Sequence, residues 1–270
     1  MTSVFMRFLH EKNRAILSEM VRTDFKVRYQ GSALGYLWSL LKPLAIFSIM
    51  YIVFTVVWPV AKGVPHYEVY LLLGIMLWNF FTEATVLGAS SIVSHGSLIR
   101  KINIPRYLIV IASTVSALIN LGLSLVVVFV FALLSRVQFD WHLLTLIPVL
   151  LELFIFTLGV AFLLATLYTK FRDVAYIWEI LLQAGMYGSA IIFPLVSVSP
   201  SLQKWFFLNP MVQIIQDARY ALLHSPEVLT IWSSNAGPRL TIFPFAVIVS
   251  ICIVGSVYFK KKSKYFAENV

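Results

Sequence analysis

The sequence predicts an all-α polytopic membrane protein. Six transmembrane helices follow an amphipathic interface helix, and short re-entrant or interfacial helices separate the fifth from the sixth. Three observations predict this. Of 270 residues 60% are hydrophobic and 12% charged, whereas a soluble domain has about 45–50% apolar and about 25% charged residues. Mean hydropathy is +0.86, so lipid must be the solvent for most of the surface. Six segments reach the roughly 20 apolar residues that a hydrocarbon core requires, and the Lys and Arg residues gather on one side of the arrangement those segments define.

Residues 1–40 precede the first span. Within them Leu17, Met20, Val21 and Phe25 recur at helical spacing while Glu19, Arg22 and Lys26 project to the other side. That is the pattern of a helix lying at the membrane surface. Gly31 and Gly35 come next, then Tyr36 and Trp38. Glycine tolerates dihedrals that other residues avoid, so the pair reads as a hinge from the interfacial to the spanning direction rather than as a close helix contact.

The spans fall at about 41–60, 67–91, 107–134, 143–168, 174–196 and 240–259. Asn79, Thr82, Glu83 and Thr85 interrupt the second, and Gly185 and Gly188 break the fifth. Segment 197–239 carries Pro200, Pro210, Pro226 and Pro238 and is too broken to span, yet it contains Trp205, Phe206, Phe207 and Trp232. Short helices on the extracellular side fit such a segment. The chain reads as one transmembrane domain, 1–270, with no soluble domain and no internal repeat.

An even number of spans puts both termini on one side. That side holds sixteen cations, among them Arg22, Lys26, Arg28, Arg100, Lys101, Arg106, Arg172 and the Lys260–Lys264 cluster. The other holds five: Lys62, Arg136, Lys204, Arg219 and Arg239. Both termini are therefore expected in the cytoplasm. The net charge of +9 is then mainly a topology signal with some contact to anionic lipid, and nucleic acid is not an expected partner.

Several chemistries are missing. No GxxxxGK[ST] loop occurs, so ATP hydrolysis is not expected on this chain. His10, His66, His95, His142 and His224 lie far apart with no metal-ligand spacing, and no metal site is expected. Cys252 is the only cysteine, which rules out an intrachain disulfide. No nucleophile elbow is present and no catalytic residue is assigned, although an enzyme whose residues converge from different helices is one alternative. No cleavable signal peptide is evident, so the first span itself is expected to direct insertion.

Four stretches, taken together, resemble the permease subunits of ABC transporters that export lipid-linked polysaccharides, the type-2 exporter class. The first runs from Arg22 through Asp24, Lys26, Arg28, Gly31, Gly35 and Trp38 to Pro43. The second, Leu98 to Leu108, contains Lys101-Ile-Asn-Ile104-Pro105-Arg106 and is similar to the family's K-x-x-x-P loop. The third, Phe171-Arg172-Asp173, is similar to its F-R-D loop, and the fourth joins Phe193-Pro194 to Asn209-Pro210-Met211. Their order and spacing extend over nearly the whole chain. The family includes permeases for wall teichoic acid and for O-antigen, and overall similarity leans slightly to teichoic acid.

The resemblance implies two copies of this permease with two copies of a separate ATPase that carries ATP and Mg2+, no cofactor on this chain, and a bacterial cytoplasmic membrane. It also implies that loops 94–106 and 169–174 dock on the ATPase. Arg100, Lys101, Ile104, Pro105, Arg106, Arg172 and Asp173 then carry coupling, while Arg22, Asp24, Lys26, Arg28, Gly31 and Gly35 form the interface helix and hinge. The same arginines and lysines are also ordinary positive-inside residues, and Arg172 with Asp173 suits a local helix cap as well as docking.

Aromatic residues make up 15% of the chain and sit mostly near span ends, as an interfacial belt does. Tyr36, Trp38, Tyr187 and Phe193 are candidates for lining a sugar channel, because flat apolar rings stack on sugar faces. Glu83, Glu152 and Glu179 lie in or near spans, where a charge costs about 2.5–3.5 kcal/mol at the centre. Each is expected to face protein or water, most simply in a hydrogen bond to a neighbouring helix. An ABC permease for drugs or small lipophiles and an ion-coupled transporter using these glutamates are the rival readings.

Overall fold

One helix forms the axis of the protein. In the computed structural model, residues 11–29, 35, 37–57, 64–101, 104–233 and 238–266 are described. Gly31 and Tyr36 lie outside them, and for Phe25 and Arg28 only the helical backbone is described. In order, the helices are α1 (Glu11–Tyr29), α2 (Leu37–Ile52, prolonged by a π turn at Val53–Val57), α3 (Tyr67–Ser94), α4 (Gly96–Lys101) and α5 (Tyr107–Leu134). A 3-10 turn at Trp141–Thr145 leads into α6 (Leu146–Lys170), followed by α7 (Val174–Gly188), α8 (Pro200–Phe206), α9 (Pro210–Leu223) and α10 (Pro238–Lys262). The described residues contain no strand, so the architecture is all-α and polytopic.

The axis is α3, which packs against α2, α5, α6, α7 and α9. It is buried on most of its circumference, as expected of a helix apolar nearly all round. The polar residues that break up its sequence do not break the helix, and two of them, Thr85 and Glu83, bond to neighbouring helices. Thr85 Oγ1 donates to the Phe81 carbonyl and accepts from Trp178 Nε1 of α7, at 2.7 and 3.0 Å. Glu83 accepts from Asn120 Nδ2 of α5 at 2.7 Å. Buried hydroxyls elsewhere, including Ser113, Thr114, Ser116 and Thr166, donate to the carbonyl one turn back and need nothing from lipid.

Helices α6 and α10 meet through small residues. A β-carbon on Gly159 would stand 2.8 Å from the Cys252 Cα, and one on Gly255 would strike the Gly159 carbonyl. Backbones approach this closely only where no side chain intervenes, and such contacts are a main source of helix association in lipid.

Among the described residues, five helical segments are long and apolar enough to cross a membrane, Leu37–Val57, Tyr67–Ser94, Tyr107–Leu134, Trp141–Lys170 and Leu240–Tyr265. The expected span at 174–196 is different. Helix α7 has 15 residues, about 22 Å at 1.5 Å per residue, against roughly 30 Å of hydrocarbon. It runs straight through Gly185, whose missing side chain admits Trp78 of α3: a β-carbon there would come 2.8 Å from Trp78 Cη2. It ends at Gly188 because the carbonyls just beyond are engaged elsewhere. Ala190, at φ 50°, and Ile191 both give their carbonyl oxygens to Arg219 of α9. The residue that stops the helix lies 28 or more positions downstream, where no local pattern could reveal it.

Candidate functional site

At one end of the bundle, five elements converge on a single apolar cluster. Met20 of α1, Ile92 of α3, Ile109 and Val110 of α5, Ala161, Phe162 and Ala165 of α6, and Phe259 and Phe266 at the C-terminal end are all buried there. Ile16, Leu17 and Val21 of α1 pack against it, while Arg22 and Lys26 face outward. The interface helix is thus attached to the bundle by the face its sequence pattern marks. Asp24 adds an ion pair at 3.6 Å to His95, just past α3, whose Nδ1 lies 2.9 Å from the Ser91 carbonyl. Gly35 adopts φ 46° and its carbonyl accepts from the Trp38 N–H at 3.3 Å. This left-handed turn is one that glycine makes at low cost.

The same end carries both loops for which the resemblance implies docking on an ATPase. Arg100 and Lys101 close α4 and are exposed, while Ile104 and Pro105 are half-buried on the approach to α5. Arg106 points inward: its Nη1 donates to the Ser263 carbonyl, tying the start of α5 to the turn after α10. Phe171, Arg172 and Asp173 form the exposed turn between α6 and α7. The Arg172 guanidinium lies 5.0 Å from the Tyr168 ring centre. Asp173 occupies the N-cap position of α7, but its side chain makes no capping hydrogen bond. The local-cap reading is therefore not realised.

Helix α7 has three sides. Val174, Trp178, Leu182 and Met186 face α3 and the core. Ile177, Ile180 and Leu181 are exposed and apolar. Tyr176, Glu179, Gln183 and Tyr187 form an exposed polar stripe, with Tyr176 at 71% and Tyr187 at 64% exposure. At 3.6 residues per turn these four fall within an arc of roughly 80°. Sequence reasoning marks Tyr187 and Glu179 but misses Tyr176 and Gln183. The signal that could find them is their i, i+3, i+7, i+11 spacing with the other two.

Phe193 does not share that surface. It lies beyond the end of α7 and packs edge-on to Phe206, 5.8 Å between ring centres, in a small cluster with Leu195, Phe207 and Val212. Because α7 stops at Gly188, Phe193 is not on the helix face that carries Tyr187. Trp38, at the head of α2, is 55% exposed.

The least expected polar assembly is on α9, where Asn209, Pro210 and Met211 form a helix start. The Asn209 side chain accepts from Met211 N at 3.0 Å and donates to Ser189 Oγ at 3.1 Å, with proline in the first turn. One face of α9 then meets Glu152 of α6: Gln213 Nε2 donates to Glu152 and to Asp217, at 3.3 and 2.8 Å. Glu83 and Glu152 thus both make the interhelical hydrogen bonds expected of them, whereas Glu179 points outward.

By its position in the sequence Arg219 counts among the five cations on the side opposite the termini. It is in fact fully buried, donating to the carbonyls of Tyr70, Ala190 and Ile191 at 3.0, 2.9 and 2.7 Å. Its guanidinium stacks over the Tyr70 ring.

The match to a family model decides the identity of this arrangement. Residues 17–223 match the model described as ABC-2 type transporter. The chain belongs to that family. It is a multi-pass integral membrane protein of the ABC-2 type. It is similar to the O-antigen export system permease protein RfbA of Myxococcus xanthus, with 27% identity across 95% of this chain and 96% of that protein. A permease of the same name from Klebsiella pneumoniae is 26% identical across 94% of each chain. The polysialic acid transport protein KpsM of Escherichia coli is 20% identical across 79% of this chain and 83% of its own length.

Proposed function

We propose that this ABC-2 chain is the membrane-spanning subunit of an ATP-driven exporter that carries a lipid-linked polysaccharide across the cytoplasmic membrane of a bacterium. The polymer passes through a channel between two copies of the chain, and two copies of a separate ATPase bind ATP and Mg2+. The observation that carries this reading is the polar stripe on α7. Tyr176, Glu179, Gln183 and Tyr187 are outside the protein core, and burying such groups in lipid without partners is costly. A second copy facing the stripe would remove it from lipid and enclose a polar, ring-bearing path suited to sugars.

The relatives' names support a polysaccharide cargo, and they favour the O-antigen type over wall teichoic acid. The positive-inside distribution of Lys and Arg supports cytoplasmic termini. The geometry of the terminal end supports a coupling role for its loops. The turn Phe171–Asp173 joins α6 directly to α7, so a push on Arg172 and Asp173 from a closing ATPase pair moves the helix that bears the stripe. Arg100 and Lys101 offer a second exposed contact on α4, and Gly35 lets α2 swing relative to the docked α1. Rigid-body motion of this kind opens a path between two packed units without local unfolding.

Co-expression with the cognate ATPase tests the reading. A stable complex containing two of each chain, with vanadate-sensitive hydrolysis absent from the permease alone, is the expected result. Failure of the chain to associate with any ATPase would sink it.

A further inference from the structure

At the end of the bundle away from α1, His142 and His224, 82 positions apart in sequence, stack with ring centres 3.8 Å apart and planes 18° from parallel. Asp140 joins them. Its carboxylate Oδ1 accepts from Trp141 N and so caps the 3-10 turn that leads into α6. Its other oxygen, Oδ2, lies 3.0 Å from His142 Nδ1 and 4.0 Å from His224 Nε2. All three residues can offer a ligand atom, and those atoms lie within 4.8 Å of one another. Residue spacing gives no sign of this, because the fold brings the end of α9 onto the head of α6.

We propose that Asp140, His142 and His224 bind a divalent transition-metal ion of the zinc class. Zinc holds nitrogen and oxygen ligands at about 2.0–2.2 Å, which sets tetrahedral ligand atoms roughly 3.4 Å apart. The two distances from Asp140, 3.0 and 4.0 Å, bracket that value, and all three ligand atoms lie within 4.8 Å of one another, so side-chain adjustment of Asp140 and His224, both exposed, would close the set around an ion. Two imidazoles with one carboxylate select zinc, cobalt, nickel or copper over calcium and magnesium, which prefer all-oxygen shells.

Three protein ligands leave a fourth position open, as in exchangeable sites. Asp140 and His224 also line a cavity of about 580 Å³ whose wall includes His66, Arg136 and Glu227, so the ion stands at the edge of a polar chamber. Backbone geometry concentrates here too. His66, Arg136 and His224 adopt φ of 52°, 57° and 41°, conformations rare outside glycine that persist where surrounding structure imposes them. His224 ends α9 in this conformation, its N–H bonded to the Tyr220 carbonyl at 2.9 Å, which turns its ring toward His142. The bound ion would pin the C-terminal end of α9 to the loop before α6, on the opposite side of the protein from the proposed ATPase contacts. The inference does not depend on which substrate is carried.

The test uses the full chain, purified in detergent without a polyhistidine tag, and titrated with Co2+ as a coloured probe. The expected result is saturable binding of one ion per chain, with the strong visible absorption of four-coordinate cobalt, displaced by Zn2+. His142→Gln and His224→Gln should each weaken binding by roughly 100-fold or more, since loss of even an outer-shell partner costs 10–100-fold. Asp140→Asn, which keeps the shape of the cap, should also weaken it. His95→Gln, at the other end of the bundle, should bind as wild type. The proposal is overturned if the wild-type chain binds no stoichiometric Co2+, or if the His95 variant loses as much affinity as the His142 variant.

Discussion

The guanidinium carbon of Arg219 lies 3.5 Å from the ring centre of Tyr70, inside a core where Arg219 is fully buried. Among the described residues no carboxylate pairs with it. Its charge is met by three backbone carbonyls, the Gln216 side chain and the face of an aromatic ring. This one side chain fixes the end of α7, the position of α9 and the close approach of α3. A β-carbon on Gly74 of α3 would strike Arg219 Nη2 and stand 3.2 Å from its Cζ. Arg219→Met should therefore destabilise the protein by on the order of 3 kcal/mol, because several buried carbonyls lose their donors. Gly74→Ala should cost about 1–3 kcal/mol. In a double-mutant cycle read by thermal unfolding, the Gly74 penalty should shrink once Arg219 is gone. Equal penalties in both backgrounds would show that the two do not share a space.

The α6–α10 contact makes a second prediction. Gly255→Ala places a methyl group against the Gly159 backbone, which cannot swing away as a side chain could. The helices must separate, at a cost of about 1–3 kcal/mol. A β-carbon added at Gly122 would meet nothing within 4 Å. That position should accept alanine with no loss, or with a gain of up to about 1 kcal/mol from helix propensity.

Docking of α1 should depend on pH. The Asp24 carboxylate is the largest cause raising the His95 pKa above its ordinary 6.5, with burial acting against it. A raised histidine value means that the folded protein prefers the protonated ring. The stabilisation is complete below about pH 6.5 and is lost as pH rises through the raised value. The difference in melting temperature between wild type and Asp24→Asn should therefore be larger at pH 6 than at pH 9. A constant difference would remove the ion pair from the account.

On the proposed function, coupling and conduction should be separable. Reversing charge at Arg172 or Asp173 should leave the fold and the ATPase activity of the complex in place while lowering export, because these side chains are exposed. Tyr176→Ala or Gln183→Leu should lower export without changing how the ATPase binds. Unchanged export in all four variants would exclude both the turn and the stripe from transport.

Much of this fold can be read from residue order. Helices occupy 67–94, 107–134, 146–170 and 238–262, where long apolar runs mark them, because hydrophobic length is a local property. The apolar face of α1 is equally local: Leu17, Met20 and Val21 turn toward the bundle as their spacing indicates. What escapes sequence reading depends on distant partners. The end of α7 is set by Arg219, Gln213 on the polar face of α9 bonds to Glu152, and His142 meets His224 across 82 positions. Arg219 also shows the limit of counting charges, since a cation counted on the side opposite the termini is the largest fully buried side chain of its helix. In the candidate site, the loops can be located from motifs, but which of their side chains are free to meet a partner cannot: Arg106 is held by Ser263.

The most direct measurement follows the polymer itself in cells depleted of this chain. Surface polysaccharide should fall while lipid-linked polymer accumulates on the cytoplasmic side, and the wild-type chain should reverse both effects. Normal surface polymer with no internal accumulation, after the chain has disappeared, would contradict the assignment as an export permease.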